Sequence, residues 1–300
     1  MRTNPEEGLE QGSTQYVEQG PAVISPRGSH QGPHQVLHQM LHQGSGPGQG
    51  DHDLAASAVV LTGLVNTLAV TCLGGGRTPG FRRLGTGSEE IERNLAEAVE
   101  PTTRRSAWSM QPIIQFDPGD DLRSTNARSL ARGLDMRTIT TERTLRLNPL
   151  CSSEDPEIRV GPALFQCILV DGSTAVVAGP LSAQGFPTAW LATRADVVDH
   201  VTELWHETWA RSRPAVPEGT AAPFTPRQCL VARRLVVGTK DAAIARELGV
   251  SLRTVAAEIS HLMTTLGASN RAAATLALRG GLQQGEITSL APYLRSGPTP

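Results

Sequence analysis

The apolar positions of this chain change rhythm several times. Residues 1–50 hold few large apolar side chains among Gln, Gly, His, Pro and Ser. Such a stretch cannot bury enough surface to offset its ordering entropy and is expected to be disordered. Leu54 to Cys72 then runs without a charge, and residues 51–87 are expected to form a loosely defined helical segment and loop. From Ser88, a candidate N-cap, EEIERNLAEAV sets Ile91, Leu95 and Val99 at helical spacing. SMQPIIQF, MRTITT, EIRVG and FQCILVD are short apolar or alternating runs that predict strands. ADVVDHVTELWHETWA returns to helical spacing through Val197, Val201, Leu204, Trp205 and Thr208. Helices mixed with strands predict an α/β layer domain over residues 88–213.

Residues 214–223 (PAVPEGTAAP) predict a stiff linker. Beyond it lie only short helices and tight turns, over residues 224–282, with a tail at 283–300. Thr225-Pro226 predicts an N-cap followed by proline at the first helical position. That helix stops at Gly238, a second runs from Asp241 to Gly249, and Ser251 caps a third ending near Leu266. Val255, Ile259, Leu262 and Leu266 form the third helix's buried stripe. Arg253, Ala257, Ser260 and Thr264 are left outward. Gly267 ends it, and Ser269 or Asn270 caps a fourth helix through Leu278. Two helices joined by a glycine turn, the second presenting its N-terminal residues, make the unit that enters a DNA major groove.

Charge sharpens this reading. The chain is near neutral overall, with 27 Lys and Arg against 29 Asp and Glu. Residues 224–282 carry eight cations and three anions, whereas residues 88–215 carry 13 and 18. A basic module on an acidic body points to a nucleic-acid partner for that module alone. The four cysteines are far apart in sequence and match neither a zinc nor a disulfide pattern. Met1 leads into Asn, Pro and Glu, which does not resemble a signal peptide, so a cytoplasmic location is expected. The uncharged run at Leu54–Cys72 is long enough to span a bilayer. Its Ser, Thr, Asn and Gly residues favour a partly buried soluble helix, and no membrane partner is expected.

The segment FTPRQCLVARRLVVGTKDAAIARELGVSLRTVAAEISHLMTTLGASNRAAATLAL resembles the LuxR-type four-helix DNA-binding domain. TPR, AxIARxLGVS, the RTV of the third helix, LxxLGA and the Arg of the fourth helix carry the likeness. The resemblance implies a transcription regulator that contacts double-stranded DNA and forms a homodimer through its fourth helix. Its expected DNA-binding residues are Lys240, Ser251, Arg253, Thr254, Ala257, Ser260, His261 and Arg271. This chain departs from the family in having Ala256, Ala257 and Glu258 where basic or polar residues are usual, and Gln228 where glutamate is common. Glu258 is expected to repel phosphate. Arg227, Arg233, Arg234, Lys240, Arg246 and Arg271 are then expected to supply most of the attraction.

Residues 88–213 more weakly resemble the phospholipase-D-like sensor domain of TrmB-related regulators, through SLARGLDMRTI, EIRVGPALFQCILVDGSTAVVAG and ELWHETWARSRP. In that family the domain is a non-catalytic binding module, which implies a small-molecule effector. A phospholipase-D-like enzyme needs a nucleophilic histidine with a lysine close by. This region has only His200 and His206 and no lysine, so no enzyme activity and no cofactor are expected. Two histidine patterns resemble metal sites, His30/His34/His38/His42 and the HxxExxH of His200, Glu203 and His206. Gly and Pro interrupt the first, and the second spreads its ligands over too wide an arc of helix. The competing functional reading is an interaction protein with a degraded DNA surface that regulates by binding another protein.

Overall fold

The computed structural model describes residues 49–119 and 121–281. The segments 1–48 and 282–300, with the histidine repeat and the expected disordered start, lie outside them. An α/β region comes first: α1 (Gln49–Leu73), β1 (Phe81–Thr86), α2 (Ser88–Asn94), β2 (Ser106–Met110), α3 (Asp121–Ala131), β3 (Asp135–Thr140), α4 (Glu142–Leu147) and α5 (Cys151–Glu154). It continues through β4 (Arg159–Val160), β5 (Cys167–Val170), β6 (Thr174–Ala178), β7 (Thr188–Ala192), α6 (Ala195–Ala210) and β8 (Arg213–Pro214). The helical region follows: α7 (Pro226–Val236), α8 (Asp241–Leu248), α9 (Leu252–Thr265) and α10 (Arg271–Leu278).

The described strands form one sheet in the order β1-β7-β6-β5-β2-β3-β4-β8. β2 pairs parallel with β3, and β3 with β4; the other pairs are antiparallel. Parallel neighbours need crossover connections, which α3 supplies before β3 and α4–α5 before β4. The β5–β6 pair needs only a tight turn.

Both sheet faces are covered. Met110, Ile139, Cys167, Leu169, Val177 and Trp190 pack beneath α1 and α6. α6 buries Val197, Val201, Leu204, Trp205 and Thr208, the stripe its spacing predicts. α1 contributes Leu54, Ala58, Leu61, Val65 and Leu68 at the same period. Its residues His52–Leu73 are long and apolar enough to cross a membrane, but the buried stripe belongs to the core under the sheet. On the opposite face, Val170, Val176 and Ala189 meet Leu84 and Val99, with Ile91 and Leu95 packed alongside.

Several local expectations shift. SMQPIIQF does not continue as a strand: β2 is displaced to Ser106–Met110, and Pro112, lacking an N–H, cannot extend the ladder. EIRVG shortens to Arg159–Val160. Ser88 is not the cap but the first helical residue of α2. Gly87 sits at the cap, and the Glu90 carboxylate reaches back to accept the Thr86 N–H at 2.8 Å. After Asn94 the helix widens into a broader turn over Leu95–Val99 rather than running on regularly.

Asp171, at φ 51° in the β5–β6 turn, ties that turn to the start of β2. Its carboxylate accepts the N–H groups of Arg104, Arg105 and Ser106 at 2.9, 2.7 and 2.9 Å. Burial pushes its pKa up, but those three N–H groups and the Arg105 charge outweigh burial and hold it below the usual carboxylate value. A depressed folded pKa stabilises above the unfolded pKa, and that stability is lost as pH falls through the folded one. Asp171→Asn is therefore expected to lower unfolding free energy by about 1–2 kcal/mol near neutrality, a modest figure because the site is solvent-screened. The gap to the wild type should hold down to about pH 5 and close below about pH 4. Urea unfolding across that range checks it; a gap that stays constant into strong acid contradicts the role.

Candidate nucleic-acid interface

The helical region is assembled from strong local signals. The Thr225 hydroxyl accepts the Gln228 N–H at 3.2 Å, while the Gln228 side chain accepts the Thr225 N–H at 2.9 Å. This reciprocal cap uses Gln228 where glutamate is common and loses nothing in geometry. Gly249, at φ 65°, turns the chain between α8 and α9 in a left-handed conformation that a β-carbon disfavours. Ser251 accepts the Thr254 N–H at 3.0 Å and caps α9, and Asn270 accepts the Ala273 N–H at 2.9 Å and caps α10.

α9 lies against α7 and α8 through Val255, Ile259 and Leu262, all buried. Arg253, Ala256, Ala257, Ser260, His261 and Thr264 are exposed along its other side. Ser251 is also exposed, and Thr254 is half-buried with its hydroxyl 2.9 Å from the Ser251 hydroxyl. Lys240 is exposed at the start of α8. Seven of the eight residues expected at DNA thus flank two helix starts or one exposed helix side.

Arg271 behaves differently. Its guanidinium is ion-paired with Asp241 and donates to the Thr239 carbonyl at 3.1 Å, tying α10 to the start of α8. It holds the frame of the domain. Other cations are committed too. Arg234 donates to both Glu247 carboxylate oxygens, at 2.7 and 2.9 Å, a bond that lowers the Glu247 pKa. Arg227 lies 3.6 Å from Glu258, whose side chain is only 15% exposed, so the acid expected to repel phosphate is partly neutralised within the domain. Arg233 is buried and bonds Glu154 of α5 at 2.7 and 2.6 Å. All four of these arginines are expected from the sequence to attract DNA; the fold commits their charge to ion pairs instead. Among the described residues, Lys240, Arg246, Arg253 and Arg279 carry no ion pair.

The same Arg233 joins the two regions. It also donates to the Asp117 carbonyl and lies over the Phe116 ring at 5.4 Å. Nearby, the Phe224 N–H donates to the Ser153 hydroxyl at 3.0 Å, and Leu150 completes the helical region's core. At the far end of α10, Gly280 passes so close to Leu147 of α4 that a β-carbon would lie 2.8 Å from its carbonyl oxygen. Nothing in the spacing of the sequence announced this contact; an arginine two positions before a leucine in a helix looks solvent-facing.

The histidines of α6 are used structurally. The His200 ring lies 3.0 Å from the Ser57 hydroxyl of α1, and His206 sits edge-on to Trp108 and Trp205. Among the described residues, no group of three or more His, Cys, Asp or Glu is placed to hold a metal.

A capped helix-turn-helix with an exposed second helix defines a DNA-binding regulatory module, and it follows an α/β sheet region. Residues 222–278 match the family model for bacterial regulatory proteins of the luxR family, so the C-terminal segment carries a LuxR-type helix-turn-helix domain. The chain is also 31% identical over 149 residues to the bialaphos biosynthetic pathway regulatory protein of Streptomyces hygroscopicus. That match covers 47% of this chain and spans 58% of the relative. Among solved structures, the phospholipase D family member Nuc from Salmonella typhimurium aligns with 16% identity over 46% of this chain and 98% of its own, at a TM-score of 0.36. TrmBL2, an archaeal chromatin protein, aligns with 13% identity over 55% of this chain and 65% of its own, at 0.33. Overlap at that level says nothing about a shared site.

Proposed function

We propose that this protein is a cytoplasmic, sequence-specific transcription regulator that binds double-stranded DNA as a homodimer. In this reading the α/β region binds a small-molecule effector without transforming it. The observation that carries the reading is the exposed side of α9, which starts at Arg253 behind a Ser251 cap within a luxR-family match. The name of the Streptomyces relative, a regulatory protein, supports the same class. Arg253 is the cation for base or phosphate contact, and Ser251, Thr254, Ser260, His261 and Lys240 add polar contacts. Ala257 offers a methyl surface, and Arg271 acts from behind by fixing the start of α8. For the α/β region, binding without turnover is supported by residue type: it has no lysine, and its two histidines are engaged with Ser57 and two tryptophans.

Dimerisation is assigned to α10. Its Leu276 is 51% exposed, with Ala273 and Ala277 beside it, and small residues let two such helices approach closely. A two-fold dimer would read a two-fold repeated site. Leu276→Asp is expected to give monomers in sedimentation and to weaken binding to promoter fragments by tenfold or more, about 1.4 kcal/mol. A wild-type protein that sediments as a monomer even on DNA contradicts the assignment.

One observation favours the second reading, a protein-binding regulator. So many arginines of the domain are held in ion pairs that few remain for phosphate. Gel shifts with fragments from around its own gene separate the two: a salt-sensitive, sequence-dependent shift supports the regulator, and none supports the alternative.

A further inference from the structure

Beside β3 and β4, at the end of α6, lies an open cleft of about 420 Å³. Asp135, Met136, Arg137, Glu157, Arg159 and Trp209 line it. Its volume falls within the usual range for small-molecule sites. We propose that this cleft is the effector site and that its ligand is a small zwitterion of the amino-acid type. The carboxylate would dock on Arg137 and Arg159, and the ammonium on Glu157. This rests on the reading of the α/β region as a sensing module.

Three observations select that chemistry. First, the guanidinium groups are held in place but not used up. Arg137 lies 4.8 Å from the Trp108 ring centre and 5.4 Å from that of Trp209, and Arg159 lies 4.8 Å from Trp209. Arg137 commits only its Nε, to Asp135 at 3.0 Å. Arg159 commits its Nε and Nη2 to Ser212. The two Nη groups of Arg137 and Nη1 of Arg159 remain, a preorganised fork for a carboxylate. Second, Asp135 is already engaged by Arg137 and by the Trp108 indole N–H at 3.0 Å, whereas the Glu157 carboxylate holds no ion pair among the described residues. Two cations and two carboxylates suit a ligand with separated charges and zero net charge. A phosphate would meet the repulsion of both acids.

Third, the indole is not an open platform. Trp209 stacks on Trp205 at 4.9 Å and also carries both guanidinium groups, which leaves little ring face for a sugar or a nucleobase. Met136 offers an apolar wall to a side chain instead.

The position also suits a signal. Glu157 follows α5 by three residues, and α5 ends in Glu154, the partner of Arg233 in the DNA-binding domain. Arg159 holds Ser212, next to β8 and the segment leading into α7. A ligand drawing Glu157 and Arg159 together acts on both connections between the regions.

Titration of the full chain with the common L-amino acids, followed by tryptophan fluorescence and calorimetry, tests the proposal. At least one is expected to bind saturably below about 10 mM. Its decarboxylated amine and its deaminated acid should each bind about tenfold more weakly or worse. Glu157→Gln and Arg137→Gln should each weaken binding about tenfold or more while leaving the DNA shift without ligand in place. Failure of every amino acid to bind, or binding indifferent to both substitutions, overturns the site. A gel shift run on the same samples keeps the outcomes apart: DNA binding without ligand binding rejects only the cleft. Ligand binding without a DNA shift retains the cleft and rejects the regulator.

Discussion

Arg253→Ala is expected to strip this protein of a large share of its sequence preference on DNA. Arg253 is exposed on the first turn of α9, just behind the Ser251 cap, and carries no ion pair among the described residues. Its neighbours on that side, Ala256 and Ala257, have no polar group for base or phosphate. A lost bidentate arginine–guanine contact costs about 1–3 kcal/mol, roughly fivefold to 150-fold in affinity. Specific sites are typically only about 4–10 kcal/mol better than random DNA, so one such contact is a large share. The converse change, Ala257→Arg, is expected to raise affinity at low salt and to steepen the salt slope by about one unit. Titration of a selected operator at several salt concentrations checks both. Binding unchanged by Arg253→Ala removes α9 from the groove and favours the protein-binding alternative.

The second large effect is expected at the contact between the regions. Arg233 and Glu154 have side chains only 8% and 13% exposed. Breaking a buried pair by deleting one partner leaves the other charge desolvated without compensation, at about 3–5 kcal/mol. Glu154→Ala should therefore cost about that much in urea unfolding and loosen the helical domain from the α/β region. Replacing both residues by leucine should recover much of the loss, because matched apolar substitutes often do as well as the buried pair. A single variant as stable as the wild type would mean that Arg233 finds another partner and that the pair is not what couples the regions.

What the sequence disclosed follows the range of the interactions. The four C-terminal helices are set by neighbours in the chain: the Thr225–Gln228 cap, the Gly249 turn, and the Ser251 and Asn270 caps. Their boundaries could be read almost residue by residue. α6 was equally plain because its buried stripe repeats over 16 residues. The strand β1 at the sheet edge and the helices α4 and α5 were not legible. FRRLGT shows no clean alternation, and helices of six and four residues are too short to establish a period. β1 is completed by its pairing with β7, and α5 by its contact with α7. The uncharged α1 was ambiguous for the same reason, since its spacing cannot say whether protein or lipid will cover it.

At the candidate interface, residue type and helix side were readable, but charge availability was not. By residue type, Arg227, Arg233, Arg234 and Arg271 are expected as cations for DNA. Each is paired with an acid that is distant in sequence: Glu258, Glu154, Glu247 and Asp241 lie 31, 79, 13 and 30 positions away. Pairings over such separations depend on the finished fold. The arginine–tryptophan cleft was hidden likewise, because it gathers β3, β4 and the end of α6.

Selection of genomic fragments by the purified full-length protein, at about 0.15 M salt, asks the question that matters most. A small set of fragments sharing a two-fold repeated site should be retained, with affinities about a thousandfold or more above random DNA. Retention of no fragment above background, or equal retention of all of them, would contradict a sequence-specific regulator.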